Sequence, residues 1–433
     1  MQFKLIIPGK NWRLSLAELV SLLKDRKVKF VVSSFSKNFF VVEIEKEDSA
    51  LIINDLGGVI KIGVASANFS TQSVRSAFLQ KDKKARERIS SEIAASGLID
   101  DIMKTEPAKV IFGVSVYCAD NSLRSVSKII QRFVGSSIKT RLLYFGKKSN
   151  FMGFSKGRKL PQLSHVEVLK KHMVKNKAEI LFCVGRDRTF LATTVAVHNP
   201  FEFQKRDVGK PVQRKIFAIS PRLARIMINL ASCGKGKTLL DPFCGVGTIL
   251  QEALLARAKV IGVDINGWCI EATIRNMKWL EKEYLLENAE YRAIKGNVHK
   301  LTERIGYEQV DCVVTEPDLG PALRQIPTTS YAVRITRKLE PLYYGLLSES
   351  HKVLKRGGRL VVTSPFIKTR SAKPVSMEIG EKALDIGFKR IQPFKKEIFI
   401  EDSKAPENIV AMSSFVDAEK RHKIGREIHI FQK

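Results

Sequence analysis

No run of about 18 consecutive apolar residues occurs in this chain, so the sequence predicts no membrane-spanning helix. The N-terminal run Met1-Gln-Phe-Lys-Leu-Ile-Ile-Pro8 is too short and too soon interrupted for a secretory signal, and reads as a first strand. Cysteine is scarce, with six residues at 118, 183, 233, 244, 269 and 312. None forms a CxxC pair or a metal-like spacing with histidine, so no metal is assigned and the cysteines read as reduced core residues of a cytoplasmic protein. Internal repeats and low-complexity tracts are also missing. Acidic side chains are in short supply: 44 Asp and Glu face 74 Lys and Arg, a net charge of +30. Such an excess favours polyanionic partners and makes their binding salt-dependent. It is uneven, because residues 66–218 carry 29 Lys and Arg against 12 Asp and Glu.

What is there is enough apolar sequence for several cores, 44% of 433 residues. Residues 1–65 read as a small α+β domain and 66–198 as a second, basic α+β domain. Residues 199–218 read as a polar linker and 219–433 as an α/β domain in which strands and helices alternate. Within the basic domain the patterning predicts a helix over 122–134, a strand over 141–144 and a helix over 165–175 carrying His165 and His172. Segments 397–400 and 426–431 read as an antiparallel terminal hairpin.

The most informative segment is Thr238-Leu-Leu-Asp-Pro-Phe-Cys-Gly-Val-Gly-Thr-Ile-Leu250: a strand, a glycine turn and the start of a helix. A second strand, Lys259-Val-Ile-Gly-Val-Asp-Ile265, ends on Asp264, and a third leads to Asn297 and Val298. A glycine turn after one strand with a carboxylate after the next is how an open α/β sheet holds a nucleoside-containing cofactor. The turn is acidic at Asp241, which repels pyrophosphate and suits a cationic ligand. S-adenosylmethionine, with a sulfonium, an ammonium and no phosphate, has that character. The turn residues Asp241, Phe243, Cys244, Gly245, Gly247 and Thr248 are therefore assigned to the cofactor. Asp264 is assigned to the ribose hydroxyls, with Ile265 beside it, and Asn297 to the adenine amino group, with Val298 beside it.

Over roughly 215–433 the sequence resembles Rossmann-like S-adenosylmethionine-dependent methyltransferases, in the branch with DPFCGxGT that contains nucleic-acid amino-group methyltransferases. The resemblance implies a doubly wound sheet. It also places a catalytic loop after the fourth strand, where the family carries Asp/Asn-Pro-Pro and an aromatic. There a side-chain oxygen and a backbone carbonyl accept the N–H groups of an exocyclic amine, and the aromatic stacks on the base. This chain has Glu316-Pro317-Asp318-Leu319, so Glu316 takes the acidic place, Pro317 is kept, Asp318 replaces the second proline and the aromatic is gone. Phe366, in Ser364-Pro-Phe366, is the candidate replacement ring.

The unit at 108–198 resembles a THUMP domain preceded by a ferredoxin-like region, as in tRNA guanosine N2-methyltransferases. The residues carrying this are Phe112-Gly-Val-Ser-Val116, Ser127-Lys128, Leu163-Ser-His-Val-Glu-Val168 and the linker Phe201-Glu-Phe-Gln-Lys-Arg-Asp-Val-Gly-Lys-Pro211. The resemblance implies a tRNA substrate. Lys147, Lys148, Lys156, Arg158 and Lys159 around Phe151 and Phe154 are the candidate RNA contacts. The expected activity is methylation of a guanosine N2. Ribosomal RNA or DNA as substrate, and an RNA-binding protein that has lost catalysis, stand as alternatives, and oligomeric state is left open with a monomer among the options.

Overall fold

In the computed structural model, residues 2–44, 49–105, 108–153, 159–214, 218–400, 407–419 and 421–433 are described. The chain forms two units. Residues 1–16, 27–200 and 396–405 make the first, and 17–26, 201–395 and 406–433 the second.

The first unit is built on one eight-stranded sheet. Its strands are β1 (Gln2–Pro8), β2 (Phe30–Phe35), β3 (Phe40–Ile44), β4 (Val59–Ser70), β5 (Lys109–Cys118), β6 (Lys148–Phe151), β7 (Glu179–Val184) and β8 (Arg188–Val197). They lie in the order β2-β3-β1-β4-β8-β7-β5-β6, so strands from both sides of residue 65 share one sheet through the β4–β8 pairing. Helix Ser127–Tyr144 packs against β5 and β6 and buries Ile130, Val134, Ile138 and Leu142, each four residues from the last. That stripe carries the helix through 141–144, which therefore is not a strand. Helix His165–Lys170 begins with a Ser164–Glu167 capping box and stops before His172, which takes a left-handed backbone (φ 50°).

The second unit holds the other sheet, of β9 (Thr238–Asp241), β10 (Lys259–Asp264), β11 (Tyr291–Lys295), β12 (Val310–Thr315), β13 (Leu354–Ile367), β14 (Val375–Ser376), β15 (Lys389–Arg390), β16 (Ser414–Asp417) and β17 (Ile424–Gln432). The order is β11-β10-β9-β12-β13-β17-β15. The first five strands run parallel and β17 inserts antiparallel beside β13. Helices cover both faces, so the strands read as apolar runs: Leu239 and Leu240, Val313 and Val314, and Leu360 to Val362 are all buried. The expected terminal hairpin exists, but its first arm is β16 rather than 397–400. Residues 396–398 form a 3₁₀ turn instead. Within the segment read as a linker, Pro200–Val208 is a helix anchored by buried Arg206.

Cys233 and Cys312 form a disulfide, against the expectation that all six cysteines are reduced. Cys118, Cys183, Cys244 and Cys269 are buried and free. Among the described residues no helix is long and apolar enough to cross a membrane.

Candidate cofactor and active site

The strand order of the second sheet reverses between β9 and β12. In an open α/β sheet the crevice at such a point, outside the carboxyl ends of the strands, is where ligands bind. Asp241 closes β9, Asp264 closes β10 and Glu316 follows β12.

The turn after β9 needs its glycines. Gly245 and Gly247 have φ of 53° and 85°, left-handed values. A Cβ on Gly247 would stand 2.8 Å from Met277 Cε and 3.2 Å from Thr273. Asp241 is 1% exposed, and its Oδ1 accepts from Thr315 Oγ1 at 2.7 Å and from the Phe243 N–H at 3.1 Å. Burial pushes its carboxyl up to about 7, with the negative charges of Asp264 and Glu316 adding to the rise.

Asp264 ties the second strand to the turn. Its Oδ2 accepts the Gly245 N–H at 3.0 Å and its Oδ1 the Asn266 N–H at 2.9 Å. A carboxylate oxygen has two lone pairs, so these two backbone contacts leave the group with further accepting capacity. Ile265, next to it, is 69% exposed, an apolar surface left open beside that carboxylate. Asn297 Oδ1 accepts the His299 N–H at 3.0 Å and starts the 3₁₀ turn Val298–Lys300, in which Val298 is buried.

Asp241, Phe243, Cys244, Gly245, Thr248 and Glu316 line one cleft, joined by Arg214, Ala218 and Ile219, which sequence reasoning did not single out. The cleft measures about 60 Å³. The donor set fits S-adenosylmethionine: buried acid at Asp241 against a cation, and paired carboxylate oxygens at Asp264 for a diol.

The loop after β12 differs from its sequence reading in one respect above all. The Glu316 carboxylate is held by Arg426 of β17: Nε donates to Oε2 and Nη2 to Oε1 at 2.9 Å. The two side chains are 9% and 16% exposed. Pro317 and Leu319 are buried, whereas Asp318 is exposed and its Oδ1 caps the Gly320 N–H at 2.9 Å. Tyr343 Oη donates to the Asp318 carbonyl at 3.0 Å. Phe366 sits half-buried within β13, opposite Gly425 and Ser376, and is not among the residues lining the cleft.

In the first unit, Lys148 and Lys159 are exposed and Lys147 Nζ donates to the Thr105 carbonyl at 2.8 Å. Phe151 is turned into the core. Its ring centroid lies 5.4 Å from that of Phe112, and a Cβ on Gly135 would collide with the ring. The ring is partly buried against that core. Phe154, Lys156 and Arg158 lie outside the described residues.

Two family models match: "RMKL-like, methyltransferase domain" over residues 211–369 and "DNA methylase" over 15–275. A tRNA (guanine(10)-N2)-dimethyltransferase of Methanothermobacter thermautotrophicus is 32% identical over 182 residues, covering 41% of this chain and 48% of that protein. The protein of the same name from Methanocaldococcus jannaschii is 27% identical over 281 residues, covering 58% of this chain and 75% of that one. The chain thus spans about half the length of the first relative and three quarters of the second. The crystal structure of TrmN from Thermus thermophilus shares the fold, with a TM-score of 0.51 at 13% identity, over 100% of this chain and 99% of that one. The chain belongs to the S-adenosylmethionine-dependent methyltransferase family that includes the tRNA guanosine N2-methyltransferases.

Proposed function

We propose that this chain transfers a methyl group from S-adenosylmethionine to the exocyclic N2 of a guanosine in tRNA. The carrying observation is that Asp241, the glycine turn and Glu316 line one cleft. This supports a reading in which the turn holds the cofactor and the Glu316 carboxylate meets the amine beside it. The relatives' names place their guanine at position 10, and the same position is taken for this chain.

When bound, the cofactor supplies an electrophilic methyl: the amine nitrogen gains it, the sulfonium becomes a thioether, and the amine proton passes to solvent. Asp241 holds cationic charge near the turn and Asp264 holds the ribose. Glu316 accepts an N–H of the amine and so favours a more nucleophilic, sp³-like nitrogen. The role of Pro317 is to fix the backbone of this loop.

The first unit, read as ferredoxin-like over 1–65 and THUMP-like over 66–198, presents the RNA. Two features support this. Helix Ser127–Tyr144 carries Lys128, Arg132, Lys139 and Arg141 and no acidic residue. At its end Leu143, Tyr144 and Phe145 are 68%, 75% and 44% exposed, with the Arg141 guanidinium 5.1 and 4.5 Å from the two ring centroids. Exposed rings beside cations suit unpaired bases and phosphates. Together with Lys147, Lys148 and Lys159, this platform takes the stacking place that the sequence suggests for Phe151. A cytoplasmic location belongs to the same proposal.

The test is competition between substrates. Unmodified tRNA, ribosomal RNA and DNA are offered with labelled cofactor, and label is expected in tRNA alone. Label in DNA or ribosomal RNA instead would remove the tRNA reading.

A further inference from the structure

Relative to the family's aspartate, Glu316 has one more methylene and one more free torsion. A carboxylate on a longer arm is harder to hold where an amine must meet it, and a misplacement of about 1 Å at a reacting centre is enough to cost two orders of magnitude in rate. Arg426 answers that problem. It reaches Glu316 from β17, where it stands opposite Pro365 of β13, and its planar fork takes one lone pair from each carboxylate oxygen. One lone pair per oxygen is left for an incoming N–H. Several acidic groups stand around the pair. Asp241 of β9 and Asp318 in the loop stand near Glu316, with Tyr343 of helix Thr329–Val353, and Asp417 of β16 and Glu419 stand near Arg426. Arg214 lines the same cleft.

We propose that Arg426 is the positioning residue that makes Glu316 a competent acceptor for the substrate amine, replacing the rigidity that the shorter aspartate has by itself. The inference rests on the amino-group reading above. Without Arg426 the carboxylate on its longer arm swings away from the position in which it meets the amine.

The experiment is single-turnover methyl transfer to unmodified tRNA by the full chain, with cofactor dissociation constants and melting temperatures measured on the same samples. Arg426→Met is expected to slow transfer about 100-fold with a cofactor constant within about threefold of wild type. Arg426→Lys, which keeps the charge, is expected to recover about tenfold of that loss. Glu316→Asp, although it restores the shorter residue, is expected to be slow like Arg426→Met, because its carboxylate no longer reaches the fork. Transfer at the wild-type rate by Arg426→Met overturns the proposal. So does a rate loss in all three variants that only follows weakened cofactor binding and a lowered melting temperature, which marks the pair as a structural tie. The rate ratio is read on whichever nucleoside carries the label, so an unexpected nucleoside overturns the guanine reading while Arg426 is still judged by its ratio. No transfer by the wild-type chain overturns both.

Discussion

The Asp264 carboxylate accepts the backbone N–H of Gly245 at 3.0 Å, so the end of one strand fixes the glycine turn that follows its neighbour. One side chain thereby shapes the turn and, in the proposed function, also holds the ribose. Replacing Asp264 with Ala removes both contributions. The cofactor dissociation constant is expected to rise about 10- to 100-fold, as for loss of one or two hydrogen bonds to a charged group. Calorimetric titration with S-adenosylmethionine measures it, and an unchanged constant contradicts the ribose assignment.

The role proposed for Asp241 makes cofactor binding depend on pH. Its carboxyl is pushed up to about 7 by burial, and a cationic ligand selects the ionised form. Below that pKa a proton must leave before the cation binds, so affinity falls with falling pH, by about tenfold per pH unit once well below it. Between pH 7.5 and 6 the dissociation constant is expected to rise, and Asp241→Asn is expected to flatten the slope while weakening binding throughout. The ligand-free protein shows the opposite face of the same shift. A raised carboxyl pKa means the folded state holds its proton more tightly, so stability is lost as pH climbs from about 4 to about 7. A pH-independent constant in the wild type sinks this account of Asp241.

Glu252 is buried between two arginines, with Arg206 Nε at 2.5 Å from Oε1 and Arg225 Nη2 at 3.0 Å from Oε2. All three side chains are at most 7% exposed. Removing the carboxylate leaves two buried cations without their shared partner. Glu252→Ala is expected to destabilise the protein by about 3–5 kcal/mol in urea unfolding. A loss under about 1 kcal/mol would mean that water or another acid takes over.

The platform at Tyr144 and Phe145 separates stacking from charge. The double alanine variant is expected to lose about 1–3 kcal/mol of tRNA affinity per stacked base with little change in salt dependence. Alanines at Lys128, Arg132 and Lys139 are expected to reduce the slope of affinity against salt by roughly 0.7–0.9 for each phosphate no longer neutralised. Neither set touches the cofactor turn, so cofactor affinity should hold. Binding of tRNA unaffected by both sets removes this helix from the RNA surface.

The cofactor turn was legible because its requirements are local. A left-handed turn asks for Gly245 and Gly247 where they stand, and carboxylates at strand ends can be counted off the alternation of strands and helices. Arg426 was not legible, since it lies 110 residues from Glu316 and meets it only because β17 inserts beside β13. The packing of Phe151 was hidden for a related reason. Its neighbours in sequence are basic and polar, and the hole that receives its ring is made by Gly135 across the unit. The segment 141–144 is apolar enough to pass for a strand, and only the buried stripe ending at Leu142 shows that the helix goes on. The disulfide between Cys233 and Cys312 joins residues 79 apart, with no motif to announce it.

Nucleoside analysis of unmodified tRNA after incubation with the full chain and labelled S-adenosylmethionine tests the central claim most directly. Label is expected in N2-methylated guanosine, and none after Glu316→Ala even though that variant still binds the cofactor. Label in a ring-nitrogen or ribose-methylated nucleoside, or full activity in Glu316→Ala, would contradict it.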